Sequence, residues 1–322
     1  MSGEKSDNQI RKMASRWFPG DYDLNRIRIF YDSSDYFRIQ FNDILILNNI
    51  PYLIRHNAKE GRFGIEEDIK FWVKRAIDLN ENQMKILKLA FFEKFTTNIA
   101  GIRFESFRSP KKEARILELV KNHDNFMHGQ AVYDSSDNLI RILDYIHGKT
   151  LFSLVESTNS DHETYFYEQF PGFLDQFIES IKAIKYLHDH GEKHGDIRRD
   201  HIIVDRETGK WRWIDFDINY RHRENIYGYD LFGIGNVLIY LAAKGEPHLR
   251  DIEKIQTETI EKISGDDVNI IFKYRIANLK KLFPYIPHSL NEIFLHFSRK
   301  ANRFYEHIDQ LIADLESYRE QN

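Results

Sequence analysis

The chain has 322 residues, 42% hydrophobic and 30% charged, with 46 basic against 50 acidic side chains and a formal net charge of −4. Such a balance supports a sizeable core and lacks the basic footprint of a nucleic-acid binder. The absence of cysteine excludes disulfides, thiolate metal centres and cysteine nucleophiles.

The length fits one large two-lobed domain or two modest ones. Residues 1–25 are polar and mixed in charge, and are expected to form a flexible or loosely docked arm without the apolar core of a signal peptide. The longest apolar stretch, 231–243, contains two glycines and an asparagine and is too short to span a bilayer. These features give the expectation of a soluble, cytoplasmic protein with no membrane span.

From Tyr36 to Phe107 the chain reads mainly as strands. Asn48-Asn49 makes a turn between the apolar runs of 43–54, and Asn80-Glu81-Asn82-Gln83 a hairpin turn between 70–79 and 84–91. Ser109-Pro110 is an N-cap followed by proline at the first helical position, and Ala114, Leu117 and Val120 continue at helical spacing. After a short strand near 139–145, Phe173, Phe177, Ile181, Ile184 and Leu187 form an apolar helical stripe. Ile202-Ile203-Val204 and Trp211-Arg212-Trp213-Ile214 are short strands around the turn Glu207-Thr208-Gly209, and 231–319 carries no strand signal. The expectation is an α+β, bilobal fold with a strand-rich front lobe over 26–145, a helical back lobe over 146–322 and a ligand cleft between them.

The chemistry concentrates in 194–217. Asp196 lies in a loop between a helix and the strand 202–204, and Asp215 ends the next strand, so a tight hairpin brings the two loops together. Carboxylate oxygens suit a hard cation such as Mg²⁺, and Asp215-Phe216-Asp217 offers two.

His194-Gly195-Asp196-Ile197-Arg198-Arg199-Asp200-His201 and Asp215-Phe216-Asp217 resemble the H-R-D-L-x-x-x-N and D-F-G stretches of the protein kinase superfamily. The resemblance extends over roughly residues 50–318. It implies an antiparallel sheet with one main helix in the front lobe, ATP with Mg²⁺ (or Mn²⁺) as cofactors, and phosphoryl transfer to a hydroxyl acceptor. Under it, Lys59, Gly61, Arg62, Phe63 and Gly64 are similar to the glycine-rich phosphate loop, with Lys59 where the first glycine belongs. Val73 belongs to the next strand, Lys88 is the lysine that grips the α- and β-phosphates, and Glu113 its helix partner. Asp144 and Ile146 fall in the adenine-binding hinge, Asp196 and Arg198 are catalytic, and His201 and Asp215 hold metal. Asp230-Leu231-Phe232-Gly233-Ile234-Gly235 is similar to the helix that buttresses the catalytic loop. Taken singly, Lys88 and Glu113 read as ordinary solvated residues, and the glycines as turn residues.

Three departures qualify what the resemblance implies. His201 replaces an asparagine ligand, which fits an inactive site or a preference for Mn²⁺. Lipopolysaccharide-core sugar kinases also carry histidine there. Gly195 replaces the arginine of H-R-D, as in aminoglycoside and choline phosphotransferases, and this removes control through a phosphorylated activation loop. Only 15 positions separate Asp215 from Asp230, too few for a peptide-docking platform of the usual size, and Glu224 is the nearby acid available to Arg303. The acceptor is therefore a protein Ser/Thr or a small molecule, with a nucleotide-binding or scaffolding pseudokinase as the alternative.

Overall fold

The computed structural model describes residues 6–60, 68–99, 102–220, 225–252 and 263–321. Two compact units emerge, one from residues 1–93, 108–122 and 127–146, the other from 94–107, 123–126 and 147–322.

The first unit is built on a seven-stranded sheet in the order β1-β2-β3-β4-β5-β9-β8. Its strands are β1 (Ile29–Phe30), β2 (Ile44–Leu47), β3 (Ile50–Glu60), β4 (Asp68–Asp78), β5 (Gln83–Lys88), β8 (Gly129–Tyr133) and β9 (Leu139–Asp144). Every pairing but one is antiparallel; β1 runs parallel to β2. At the β2–β3 turn Asn48 and Asn49 adopt φ of 49° and 62°, the left-handed pair that a two-residue hairpin requires. Asn82, with φ 62°, serves the β4–β5 turn in the same way.

The Ile-Leu-Ile-Leu run of β2 is buried throughout because both faces of the sheet are covered. Leu45 and Leu47 join one cluster with Ile54, Leu87 and Ile142, while Ile44 and Ile46 join another with Leu53, Ile77 and Leu79. The second cluster includes Ile10 and Ala14 of α1 (Asp7–Ala14). The expected arm thus touches this core through Ile10 and Ala14, with Met13, Phe18, Tyr22 and Leu24 partly buried against it, while most of residues 6–25 stay exposed or half-buried. A capping box from Ser6 and Gln9 starts α1, and an i, i+4 spacing puts its two buried residues on one face. The second helix, α2 (Pro110–Leu119), begins where Ser109 accepts from the Lys112 N–H, and it buries Glu113, Ile116 and Leu117.

The second unit is mostly helical. It contains α3 (Leu151–Glu156), α4 (His162–Glu168), the 20-residue α5 (Phe170–Asp189), α6 (Gly228–Ala242) and two further helices, His288–Leu295 and Ile308–Gln321. Its small sheet β10-β11-β12 joins Gly148–Thr150, Ile202–Asp205 and Trp211–Trp213. Trp213 is fully buried and its indole N–H donates to Ser180 O of α5 at 2.8 Å, fixing the hairpin on the helix. The strands β6 (Lys94–Ile99) and β7 (Ile102–Arg108) fall almost entirely in this second unit, not the front lobe expected for them. They form a separate sheet with β13 (Ile218–Tyr220), in the order β13-β7-β6.

Candidate active site

In the first unit, Val73 of β4 lies directly opposite Lys88 of β5 in the antiparallel register. Lys88 Nζ donates to Glu113 Oε1 at 2.6 Å, and both side chains are almost wholly buried. Arg141 of β9 is buried as well, and its Nε donates to the other Glu113 oxygen at 3.0 Å. Further bonds to Leu89 O and Leu139 O satisfy the Arg141 guanidinium. One carboxylate therefore organises two cations, each held by hydrogen bonds as a buried charge requires.

In the second unit, residues 194–201 are clamped from below by Asp230 on the first turn of α6. Asp230 is fully buried and accepts from the His194 N–H at 2.7 Å, the Gly195 N–H at 2.8 Å and His188 Nε2 at 3.1 Å. Burial alone would raise its carboxyl pKa, but these donors overcome that and hold it below its ordinary value. Gly195 sits at φ 89°, a conformation that explains glycine here in backbone terms. A side chain on Gly233 would stand 2.7 Å from Ile197 Cβ, so α6 presses closely against the loop. His194 is completely buried, and its Nδ1 accepts from the Asp196 N–H at 3.3 Å.

The β11–β12 hairpin then delivers Asp215, because the Ile214 N–H donates to His201 O at 3.0 Å. Asp215 itself takes φ 64°. His201 Nδ1 lies 2.8 Å from Asp196 O, and a carbonyl only accepts, so this nitrogen carries the proton. His201 Nε2 lies 3.6 Å from Asp215 Oδ2. An imidazole nitrogen and a carboxylate oxygen are both atoms able to bind a divalent cation. His201 Nδ1 is also 3.6 Å from Asp196 Oδ2, so the ring lies between the two carboxylates.

Burial lifts the Asp196 carboxyl above its ordinary pKa, against the pull of His201 and Arg198 and with a further push from Asp215 and Asp217. Arg198 makes a two-pronged contact with Asp200, its Nε at 3.0 Å from Oδ1 and its Nη2 on Oδ2. Despite burial, His201 and Arg198 hold Asp200 below the usual carboxylate range.

Val73, Lys88 and Glu113 lie in one unit, and Asp196, Arg198, His201 and Asp215 in the other. Asp144 is half exposed, pairs with Lys85 at 2.8 Å and gives its own N–H to His128 O, while Ile146 is half-buried. Lys59 is exposed near the end of β3; Gly61, Arg62, Phe63, Gly64 and Glu224 lie outside the described residues. Arg141 and Asp200 escaped the sequence reading. A lone arginine inside the apolar run Leu139-Ile140-Arg141-Ile142-Leu143 is the signal that would have found the first; nothing in the sequence marks the second.

Among the described residues no group of three or more His, Asp or Glu stands ready to hold a metal. Asp215 offers the kind of oxygen ligand a magnesium-type ion takes beside water and phosphate oxygens, whereas the His201 imidazole suits a transition-metal ion better. No described helix is long and apolar enough to cross a membrane.

Residues 73–226 match the protein kinase domain model. The chain is 27% identical over 127 residues to the probable serine/threonine-protein kinase fnkB of Dictyostelium discoideum, covering 39% of this chain and 22% of that protein. It is 28% identical over 123 residues to CBL-interacting protein kinase 1 of Oryza sativa subsp. japonica, covering 38% of this chain and 24% of that protein. The matched stretch therefore spans about a quarter or less of these relatives. Among solved structures, the Mycobacterium tuberculosis PknI kinase domain superposes with a TM-score of 0.47 at 12% identity, over 83% of this chain and 95% of that one.

Proposed function

We propose, on the premise that the chain is a member of the protein-kinase-like superfamily, that it transfers the γ-phosphate of ATP to a hydroxyl acceptor, a protein Ser/Thr or a small molecule. The observation that carries this reading is the intact Lys88–Glu113 pair together with the Asp196, His201 and Asp215 constellation. A pseudokinase has no need to retain all of these.

Asp196 takes the proton of the acceptor hydroxyl. The acceptor oxygen bonds to the γ-phosphorus as the bond from that phosphorus to the β,γ-bridging oxygen breaks, leaving ADP. Lys88, fixed by Glu113, binds the α- and β-phosphates. The resemblance assigns segment 59–64 to phosphate binding, Val73 to the base and the Asp144–Ile146 stretch to adenine. Arg198, oriented by Asp200, offsets charge on the transferred group. His201 and Asp215 hold Mg²⁺ or Mn²⁺, which when bound would neutralise phosphate charge. Positioning and electrostatics supply most of the rate gain.

The reading includes no nucleic-acid partner and an intracellular setting, where ATP is found. Labelled ATP tests it, with wild type and Asp196→Ala compared in Mg²⁺ and in Mn²⁺. Transfer that the substitution lowers at least a hundredfold supports it. Metal-dependent nucleotide binding with no transfer favours the pseudokinase.

A further inference from the structure

The second unit holds a polar cavity of about 440 Å³, lined by residues between Ser264 and Arg303 that lie outside the phosphotransfer constellation. Ligand sites commonly enclose roughly 300–1,000 Å³, so the space suits a small molecule. Its charged lining sets Asp267 and Glu292 against Lys281, Lys300 and Arg303. Asp267 is buried and accepts from the Ser264 N–H at 2.7 Å, the Ser264 hydroxyl at 3.0 Å, the Asn278 amide at 2.7 Å and Lys281 Nζ at 2.5 Å. Asp267 and Lys281 thus compensate each other. Glu292 is exposed, and its carboxylate lies 3.4 Å from His288 Nδ1 on the same helix. Lys300 and Arg303 are left: both are exposed, and among the described residues neither side chain makes an ion pair or a hydrogen bond.

The backbone that carries these two cations is held in place. The Lys300 N–H donates to Asp266 O at 3.3 Å and the Ala301 N–H to Ser298 O at 3.2 Å. His296 Nδ1 closes the turn by donating to Arg303 O at 2.8 Å. Two uncompensated cations on a fixed turn beside a polar cavity favour an anion. The arginine fork matches two oxygens of a phosphate, and lysine adds a point charge. A bare ion leaves most of the cavity unfilled, so the phosphate is expected on a larger polar group. We propose that the cavity binds a small-molecule phosphate monoester, with Lys300 and Arg303 on the phosphate. This site does not depend on the phosphotransferase reading.

Equilibrium dialysis of the full chain at fixed ionic strength tests it, with labelled glycerol 3-phosphate, glycerol and a phosphoserine peptide as probes. We expect saturable binding of glycerol 3-phosphate and none of glycerol. Binding should weaken about tenfold or more in Lys300→Gln and in Arg303→Gln. Both residues are exposed, so both variants should fold, and Lys300→Arg, which keeps the charge, should bind as the wild type does. Lys88→Met, which removes the lysine proposed for the nucleotide phosphates, should leave this binding unchanged. Binding lost in Lys88→Met and kept in the two glutamine variants puts the probe at the nucleotide site and overturns the inference. A wild type that binds no glycerol 3-phosphate overturns it too, even where Glu224→Gln does bind, because Arg303 then belongs to Glu224. Equal binding of glycerol, or binding of the phosphoserine peptide alone, is equally fatal to it.

Discussion

Glu113 is fully buried between Lys88 and Arg141, and this arrangement makes the three side chains unequal. Removing Glu113 takes away the carboxylate that two buried cations share, whereas removing Lys88 leaves that carboxylate with Arg141. Breaking a buried pair so that a charge is left uncompensated costs about 3–5 kcal/mol. Glu113→Ala should therefore lose stability in that range by urea denaturation, and Lys88→Met distinctly less. Equal losses would show that Arg141 does not sustain the carboxylate. Asp196 is the opposite case. Its pKa is raised by burial, so ionisation at neutral pH costs folding free energy, and stability is lost as pH rises from the ordinary carboxylate value through the raised one. Asp196→Asn should abolish transfer and raise Tm at pH 7 by about 2–4 °C. The gain should shrink as pH falls toward 4, and a variant no more stable than wild type at pH 7 would contradict it. The Lys88–Glu113 contact and the placing of Asp196 and Asp215 on either side of His201 were legible because motif spacing points to each. Arg141 and Asp200 were not, since their roles come from contacts across strands or within a tight 3-10 turn.

At the scale of elements, local chemistry that names its own geometry was legible in advance. The Asn48-Asn49 and Asn82 turns, the Ser109-Pro110 helix start and the β11–β12 hairpin all occur where turn and cap residues put them. Elements whose partners lie far along the chain were harder to read. Composition marks 1–25 as polar, yet two residues of α1, Ile10 and Ala14, reach the core, and a count of polar residues hides them. Ile10→Ala should lower stability by about 2–4 kcal/mol in urea denaturation. A change within 0.5 kcal/mol would restore the loose arm. The β6–β7 hairpin reads as two more strands of the front sheet by alternation alone. Its partner is β13, which lies more than a hundred positions away, directly after Asp215-Phe216-Asp217.

At the scale of the molecule, the strand-rich beginning and helical remainder were evident from periodicity, and the two compact units follow that division apart from 94–107 and 123–126. The acceptor is the least legible part, because it depends on surfaces that no motif encodes. The short span between Asp215 and Asp230 is the feature of the sequence that bears on it. The central claim is that the site transfers phosphate rather than only binding nucleotide. Its most direct measurement is the rate of γ-phosphate transfer from labelled ATP by the whole chain in Mn²⁺ and in Mg²⁺, with Asp196→Ala alongside. The account predicts metal-dependent transfer by the wild type and at least a hundredfold loss in the variant; nucleotide binding with no transfer to casein, to the chain itself or to water would contradict it.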